Sequence, residues 1–272
     1  MTPVHTAGEV FEAIQKVKAG ATAFCTNFFP VQSKLENWVS HQELSSHSCD
    51  GVTFFSRKDR DFTHLYFCAT DAAAFGRELS QLPALTSDKL SIDLVGQEAS
   101  LTELLKLTEQ GGFSRYSRLV RLARAATTLT SAQTGVAIEL AAESDAAAIL
   151  ALIEELFDRY ADQLPLAYEI EAAILAKQIF VIRQNSEIAA LLYYETQGLT
   201  STIRYWLVAA PFHARGFGSA LIRHYFSNQP AVRRFILWVT ATNDNAIQKY
   251  RHYGYAPDGL VDHVLVREPA MK

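Results

Sequence analysis

The stretch "YWLVAAPFHARGFGSALIRHYF", residues 205–226, decides how this chain reads. An apolar run passes through Pro211, His213 and Arg215 into Gly216-Phe217-Gly218. Helical spacing follows, with Phe217, Ala220, Leu221, His224 and Tyr225 sharing one face. Two glycines at a strand-to-helix turn let another group approach the backbone, because neither carries a Cβ. Three phosphate-binding readings compete. A nucleotide P-loop needs GxxxxGK[ST], which the sequence lacks. A dinucleotide fingerprint needs a third glycine, where Leu221 stands, and an early place in the chain. The third reading is a pyrophosphate held by consecutive backbone N–H groups at a helix N-terminus, with His213 or Arg215 adding charge. On the turn alone, tight packing of helix on strand explains the glycines equally well.

Working outward, "GVAIELA" (135–141) reads as a strand and "SDAAAILALIEELFDRYADQ" (144–163) as a helix with Ser144 as N-cap. "LAYEIEAAILAKQ" reads as a second helix. "IFVIRQ" and "IAALLYYET" flank Asn185-Ser186 as a hairpin, and "TIRYWLVAA" is the next strand. After the glycine turn and its helix, "RFILWVTAT" (234–242) is apolar enough for a strand buried on both faces. "NDNAIQKYRHYG" is a helix that Gly254 terminates, and "LVDHVLVRE" is the final strand.

The N-terminal half repeats this plan. "SLTELLKLTEQGGF" ends at Gly112-Phe113, 142 residues before Gly254-Tyr255. At the same offset "LSIDLV" falls near "RFILWV", "HLYFCAT" near "YWLVAA", and "AGEVFEAIQKVKA" near "SDAAAILALIEEL". Four elements in one register predict two tandem copies of one fold. The Ala/Thr/Ser-rich "ARAATTLTSAQTG" (124–135) reads as the linker, dividing the chain into domains 1–130 and 131–272.

Composition narrows the classes. At 49% hydrophobic and 20% charged the chain is globular, and a net charge of -4 gives no reason to expect nucleic acid. Three cysteines, Cys25, Cys49 and Cys68, form no CxxC pair, as expected of reduced thiols in a cytoplasm. The N-terminus has no basic start followed by an apolar core, and no apolar run reaches the roughly 18 residues of a membrane span. "HQELSSHSC" (41–49) holds two His and a Cys, but a polar surface loop explains it better than a metal site. Arg115, Arg118, Arg121 and Arg124 are expected on a solvated face of a strand leaving the first copy. No GxSxG elbow points to hydrolysis.

A second motif follows the next strand: Asn243, Ala246, Tyr250 and Gly254-Tyr255. Together with Val208 eight residues before Gly216-x-Gly218, it resembles the GNAT superfamily of acyl-CoA-dependent N-acyltransferases. His213 stands where that family has Arg or Gln, and Ala210 where it often has Pro. The resemblance covers about residues 135–268 and implies an α+β fold, each copy a mixed, mostly antiparallel sheet flanked by helices. It implies that the strand splays from its neighbour after Val208, and that the pantetheine of acetyl-CoA pairs with Leu207, Val208, Ala209 and Ala210. The pyrophosphate would rest on the amides of His213, Ala214, Arg215, Gly216, Phe217, Gly218 and Ser219. Asn243 would hydrogen-bond the cofactor, and Tyr250 would protonate the departing thiolate. No metal is implied.

The base that such chemistry uses is not evident. Many relatives carry Glu six residues before the Val208 position, where this chain has Thr202. Glu195, His213 or a water chain are substitutes, with Glu195 expected as a solvated loop carboxylate and His213 on cofactor phosphate. In the first copy Asp71 lies where phosphate would sit, Gly76 is the one glycine, and Leu101 and Thr108 replace the Asn and Tyr. That copy reads as degenerate, bracing the other or closing its substrate cleft. Residues 143–171 hold eight acids against Arg159, which favours a cationic amine. The expectation is therefore a cytoplasmic acetyltransferase acting on a primary amine of a small molecule or peptide, without membrane or nucleic-acid partner, and with a homodimer admitted. A non-catalytic acyl-CoA-binding or regulatory protein is the alternative, and a dinucleotide-binding enzyme a weaker third.

Overall fold

The computed structural model describes residues 1–82, 89–126 and 135–269. Its first stretch contains β1 (Thr2–Pro3), α1 (Ala7–Ala19), β2 (Cys25–Thr26), α2 (Gln32–Ser40), β3 (Leu44–Cys49), β4 (Val52–Asp59) and β5 (Phe62–Ala69). Then come α3 (Ala72–Gln81), β6 (Leu90–Gln97), α4 (Glu98–Gln110) and β7 (Ser114–Ala125). The later part has β8 (Glu139–Leu140), α5 (Ala146–Leu156), α6 (Ala167–Leu175), β9 (Ile179–Gln184), β10 (Glu187–Gln197) and β11 (Thr200–Val208). It ends with α7 (Phe217–Ser227), β12 (Arg234–Thr240), α8 (Asp244–His252) and β13 (Ala256–Arg267). After β1 and β8 alike, two helices, three consecutive strands, a helix, a strand, a helix and a strand follow, with β2 inserted only in the first run.

The compact units are not the two sequence halves. One is Met1–Leu119 with Gly259–Lys272, the other Val120–Asp258. The first unit thus takes its last strand from the far end of the chain: Leu260–Arg267 pairs antiparallel with Gln97–Leu90. The division expected at residue 130 falls inside 127–134, which lie outside the described residues, as does most of the linker reading.

In the first unit the strand order is β1-β3-β4-β5-β6-β13, with β2 lying on β5 off this path. A core of Val10, Leu35, Trp38, Phe55 and Cys68 joins α1 and α2 to the sheet. "HQELSSHSC" is largely a strand, β3, rather than a loop, because Ser45–Cys49 pair with Ser56–Val52. Among the described residues no group of three His, Cys, Asp or Glu has the arrangement of a metal site.

In the second unit β10 lies between β9 and β11, both antiparallel, and β12 runs parallel to β11. Asn185 and Ser186 both take positive φ, 50° and 69°, as the expected two-residue hairpin requires. One core packs α5 and α6 on the sheet through Ile149, Ile153, Ile170, Leu191, Tyr205 and Leu207. The other packs α7 on the opposite face through Phe217, Leu221, Tyr225, Ile203 and Phe235.

Several expectations need correction here. Of "GVAIELA" only Glu139–Leu140 is strand. Ser144 does not cap the first helix: it sits in a 3₁₀ turn, Glu143–Asp145, and Asp145 accepts from the Ala142 N–H at 2.7 Å. The helix stops at Leu156 instead of running to 163. β12 alternates, with Phe235, Leu237 and Val239 buried and Ile236 and Trp238 half-buried, so it is not enclosed on both faces. The arginine row is a solvated face only at its start: Arg115 and Arg118 are exposed, Arg121 is half-buried and Arg124 is buried. Arg115 pairs with Glu109, Arg118 with Glu98 and Arg121 with Asp258, while Arg124 lies 4.1 Å over the Phe226 ring.

Candidate functional site

The site begins with a bulge. β10 and β11 pair Tyr193 with Tyr205, then Tyr194 with Ile203, which leaves Arg204 as an extra residue. A bulge bends its strand and tightens the twist. On its other edge β11 pairs with β12 only from Thr200–Arg234 to Ile203–Leu237. The parting therefore starts after Ile203, five residues before the expected Val208, because the bulge turns the strand away at Arg204. Beyond it the β11 edge toward β12 carries main-chain groups without a neighbouring strand, and buried groups of that kind require partners.

The parting opens into a cavity of about 620 Å³. Trp206, Leu207 and Val208 border it from β11, the whole turn from Phe212 to Ser219 from one end, Ala246, Lys249 and Tyr250 from α8, and Asn243 and Tyr253 from the two caps of that helix. Ten expected residues outside Tyr250 meet there: Leu207, Val208, His213, Ala214, Arg215, Gly216, Phe217, Gly218, Ser219 and Asn243. Ala209 and Ala210 do not line it. The Ala209 amide donates to Ala189 O at 2.9 Å, which ties it to β10, and Ala210 starts a 3₁₀ turn.

The turn has a backbone shaped for anions. Ala214 and Gly216 take φ of 63° and 78°, a conformation that costs a non-glycine residue and recurs at functional sites. Gly216 opens α7 with no side-chain cap. The N–H groups of Phe217, Gly218 and Ser219 belong to the first helical turn, where no intrahelical acceptor exists. The helix dipole favours negative charge at this end. Arg215 and Lys249 line the cavity, and no Asp or Glu does among the described residues. These features fit a phosphate-bearing ligand.

Individual side chains depart from expectation. His213 Nε2 donates to Val208 O at 2.9 Å, so this ring fastens the turn to the end of β11. The Asn243 side chain accepts from the Ala246 N–H at 3.1 Å, capping α8, which engages its oxygen. Ser219 Oγ and Tyr253 OH lie 2.7 Å apart and link the two helices across the cavity. Glu195 is no loop carboxylate: it lies in β10, accepts from Tyr193 OH at 3.2 Å and sits 3.8 Å from Arg204.

Tyr250 packs between Trp206 and Tyr255, with ring centroids 5.6 Å and 6.2 Å away. Burial, and after it the charge of Asp162, pushes its hydroxyl up to about 12, so the proton is retained at neutral pH. Tyr205 OH donates to Asp162 O and Gln163 O at 3.0 and 2.9 Å, pinning the α5–α6 connection onto β11. Of the eight acids there, four serve local structure. Asp145 pairs with Arg183, Asp158 accepts from the Ala161 N–H, Asp162 from the Asp158 N–H, and Glu169 from the Leu166 N–H. The acidity left for a substrate is smaller than the sequence count. Sequence reasoning missed Trp206, Lys249 and Tyr253, whose place in the cavity follows from the bulge and the α8 helical face.

Residues 147–255 match the family model described as Acetyltransferase (GNAT) family. No curated protein sequence matches the chain. Among solved structures, a tandem GNAT protein from the clavulanic acid biosynthesis pathway aligns over 100% of this chain and 98% of its own, at TM-score 0.64 and 10% identity. A GCN5-related N-acetyltransferase from Sphaerobacter thermophilus aligns over 82% and 78%, at TM-score 0.60 and 16% identity. Another from Kribbella flavida aligns over 94% and 95%, at TM-score 0.58 and 17% identity. At such identities the likeness is one of fold.

Proposed function

With residues 147–255 a GNAT-family domain, we propose that the protein transfers an acyl group, acetyl, from acyl-CoA to a primary amine of a small molecule or peptide. The observation that carries this reading is the cavity itself. It joins a parted strand edge, an uncapped helix N-terminus and Tyr250 in one volume. The first-turn amides of α7 and Arg215 would hold the pyrophosphate, and the open edge of β11 would pair with the pantetheine amides. The amine attacks the thioester carbonyl directly, in a ternary complex, once it is neutral. A backbone N–H of β11 donates to the developing oxyanion. The C–S bond breaks, and the departing sulfur takes its proton from Tyr250. The attacking nitrogen loses its proton to water or to Glu195, whose hold by Tyr193 and Arg204 makes it the weaker base. The acceptor enters on the α5–α6 face, and a cationic amine suits what acidity remains there. The first unit is a degenerate copy.

Two observations favour a second reading, acyl-CoA binding without turnover. Thr202 occupies the place of the usual Glu, and the Tyr250 hydroxyl at about 12 is a weak acid for a thiolate. Thermal unfolding with acetyl-CoA, against NAD and ATP, tests both readings together. At 100 times its Kd a ligand stabilises the native state by about 2.7 kcal/mol. A shift with acetyl-CoA alone supports the site, and amine-dependent release of free thiol separates enzyme from binder. No shift with acetyl-CoA refutes both.

A further inference from the structure

The first unit repeats the parted strands of the second and fills the gap itself. β5 and β6 run parallel and pair only at Thr63–Leu90 and His64–Ser91. Past these positions the edge of β5 is covered by the chain's own β2, antiparallel, Cys25 on Ala69 and Thr26 on Cys68. The covering runs on at both ends. The Ala23 N–H donates to Thr70 O at 3.0 Å, and the Asn27 N–H to Phe67 O at 3.3 Å. Thr26 Oγ1 donates to Phe67 O at 2.6 Å.

Asn27 bridges the gap. Its Oδ1 accepts from the Phe67 N–H at 2.7 Å, and its Nδ2 donates to Leu65 O at 3.1 Å and Asp93 O at 2.9 Å, one carbonyl on each diverging strand. It is only 8% exposed. The neighbouring helix start is taken as well. Asp71 accepts from the Ala74 N–H at 2.8 Å at the head of α3, and Thr22 Oγ1 donates to the same carboxylate. In the second unit the equivalent helix, α7, begins at Gly216 with no side-chain cap, and the equivalent edge borders the cavity. The main-chain and Asn27 amides give β5 the alternating donors and acceptors of an extended, amide-bearing ligand. The Asp71 carboxylate puts negative charge where that ligand's anionic end would lie.

We propose that Ala23–Phe28 is a built-in occupant of the first unit's ligand gap, so that each chain takes up a single acyl-CoA. The stoichiometry rests on the acyl-CoA reading of the second unit; the strap itself does not.

Amide hydrogen exchange on the full, ligand-free chain tests the strap. The Phe67 amide, whose acceptor is Asn27 Oδ1, should exchange as slowly as the β4–β5 ladder. Asn27→Ala should speed it by about tenfold or more. Thr26→Val, which removes the hydroxyl's bonds to Phe67 O and from the Phe28 N–H but keeps Asn27, serves if Asn27→Ala does not fold. Fast Phe67 exchange in the native chain, or no response to either variant, overturns the strap. Calorimetric titration with acetyl-CoA should give one equivalent per chain and none for Gly216→Trp. Two equivalents, or one retained in Gly216→Trp, means an open first gap and overturns the proposal. Absence of any binding refutes the acyl-CoA reading and its stoichiometry, and the exchange result then decides the strap.

Discussion

Gly216 and Gly218 lie two residues apart in one turn, yet alanine at each should act with opposite sign. Gly216 has φ 78°, and a Cβ built there meets nothing within 4 Å. Its cost is therefore backbone strain alone, about 1–2 kcal/mol for an L-residue in the left-handed region. Loss of unfolded-state freedom offsets part of that, leaving about 1 kcal/mol of destabilisation for Gly216→Ala. Gly218 lies inside α7, and its Cβ would sit 3.5 Å from Val208 Cγ2 and 3.6 Å from Trp206 Cζ2, ordinary contact distances. Gly218→Ala should thus gain helix propensity, up to about 1 kcal/mol. Thermal unfolding of the ligand-free variants reads both, at about 4 °C per kcal/mol for a domain of this size. Acetyl-CoA added to each then shows whether Gly216→Ala also weakens binding by tilting the free amides. If both variants shift the midpoint the same way, the geometric distinction between the two glycines is wrong.

Tyr250→Phe should lower kcat by about 100-fold, the lower end of what a general acid supplies, with acetyl-CoA binding kept. Because burial lifts the hydroxyl to about 12, turnover should rise across pH 9–10.5 as the amine loses its proton, with no fall; a fall near pH 10 that vanishes in the Phe variant would falsify the burial argument. Asp262 is 9% exposed, and burial first, then the charge of Asp93, pushes its carboxyl well above the usual range. A raised folded value means that stability is full below about pH 4 and is lost as pH rises toward that value. Asp262→Asn should therefore raise the melting temperature more at pH 8 than at pH 5, and an equal effect at both would refute it. Asp71→Ala should cost about 1 kcal/mol through the lost cap of α3, read by denaturant unfolding.

Much of the site was legible because its parts are local. The glycine turn and the Gly254 terminator are short-range backbone requirements, and those leave marks in the sequence. Side-chain partners were less legible. His213 binds a carbonyl five residues back, Glu195 meets Arg204 across a strand pair, and four acids of 143–171 are consumed by turns. Residue type alone does not tell a cap or an ion pair from a charge facing solvent.

Hydrophobic period and backbone-restricted residues act over a few positions, so the two-copy plan, the order of the main elements after residue 135 and the turn that opens α7 were legible in the linear chain. The tertiary structure decided the rest. The bulge at Arg204 sets where β11 and β12 part, and a bulge depends on the pairing register with β10. The last strand joins the first unit through pairing with β6, a contact between residues more than 150 apart in sequence. Asn27 closes the first gap because its side chain reaches two carbonyls that come together only when β5 and β6 lie side by side. Long-range hydrogen bonds of this kind carry no local period, so nothing in the linear order announces them.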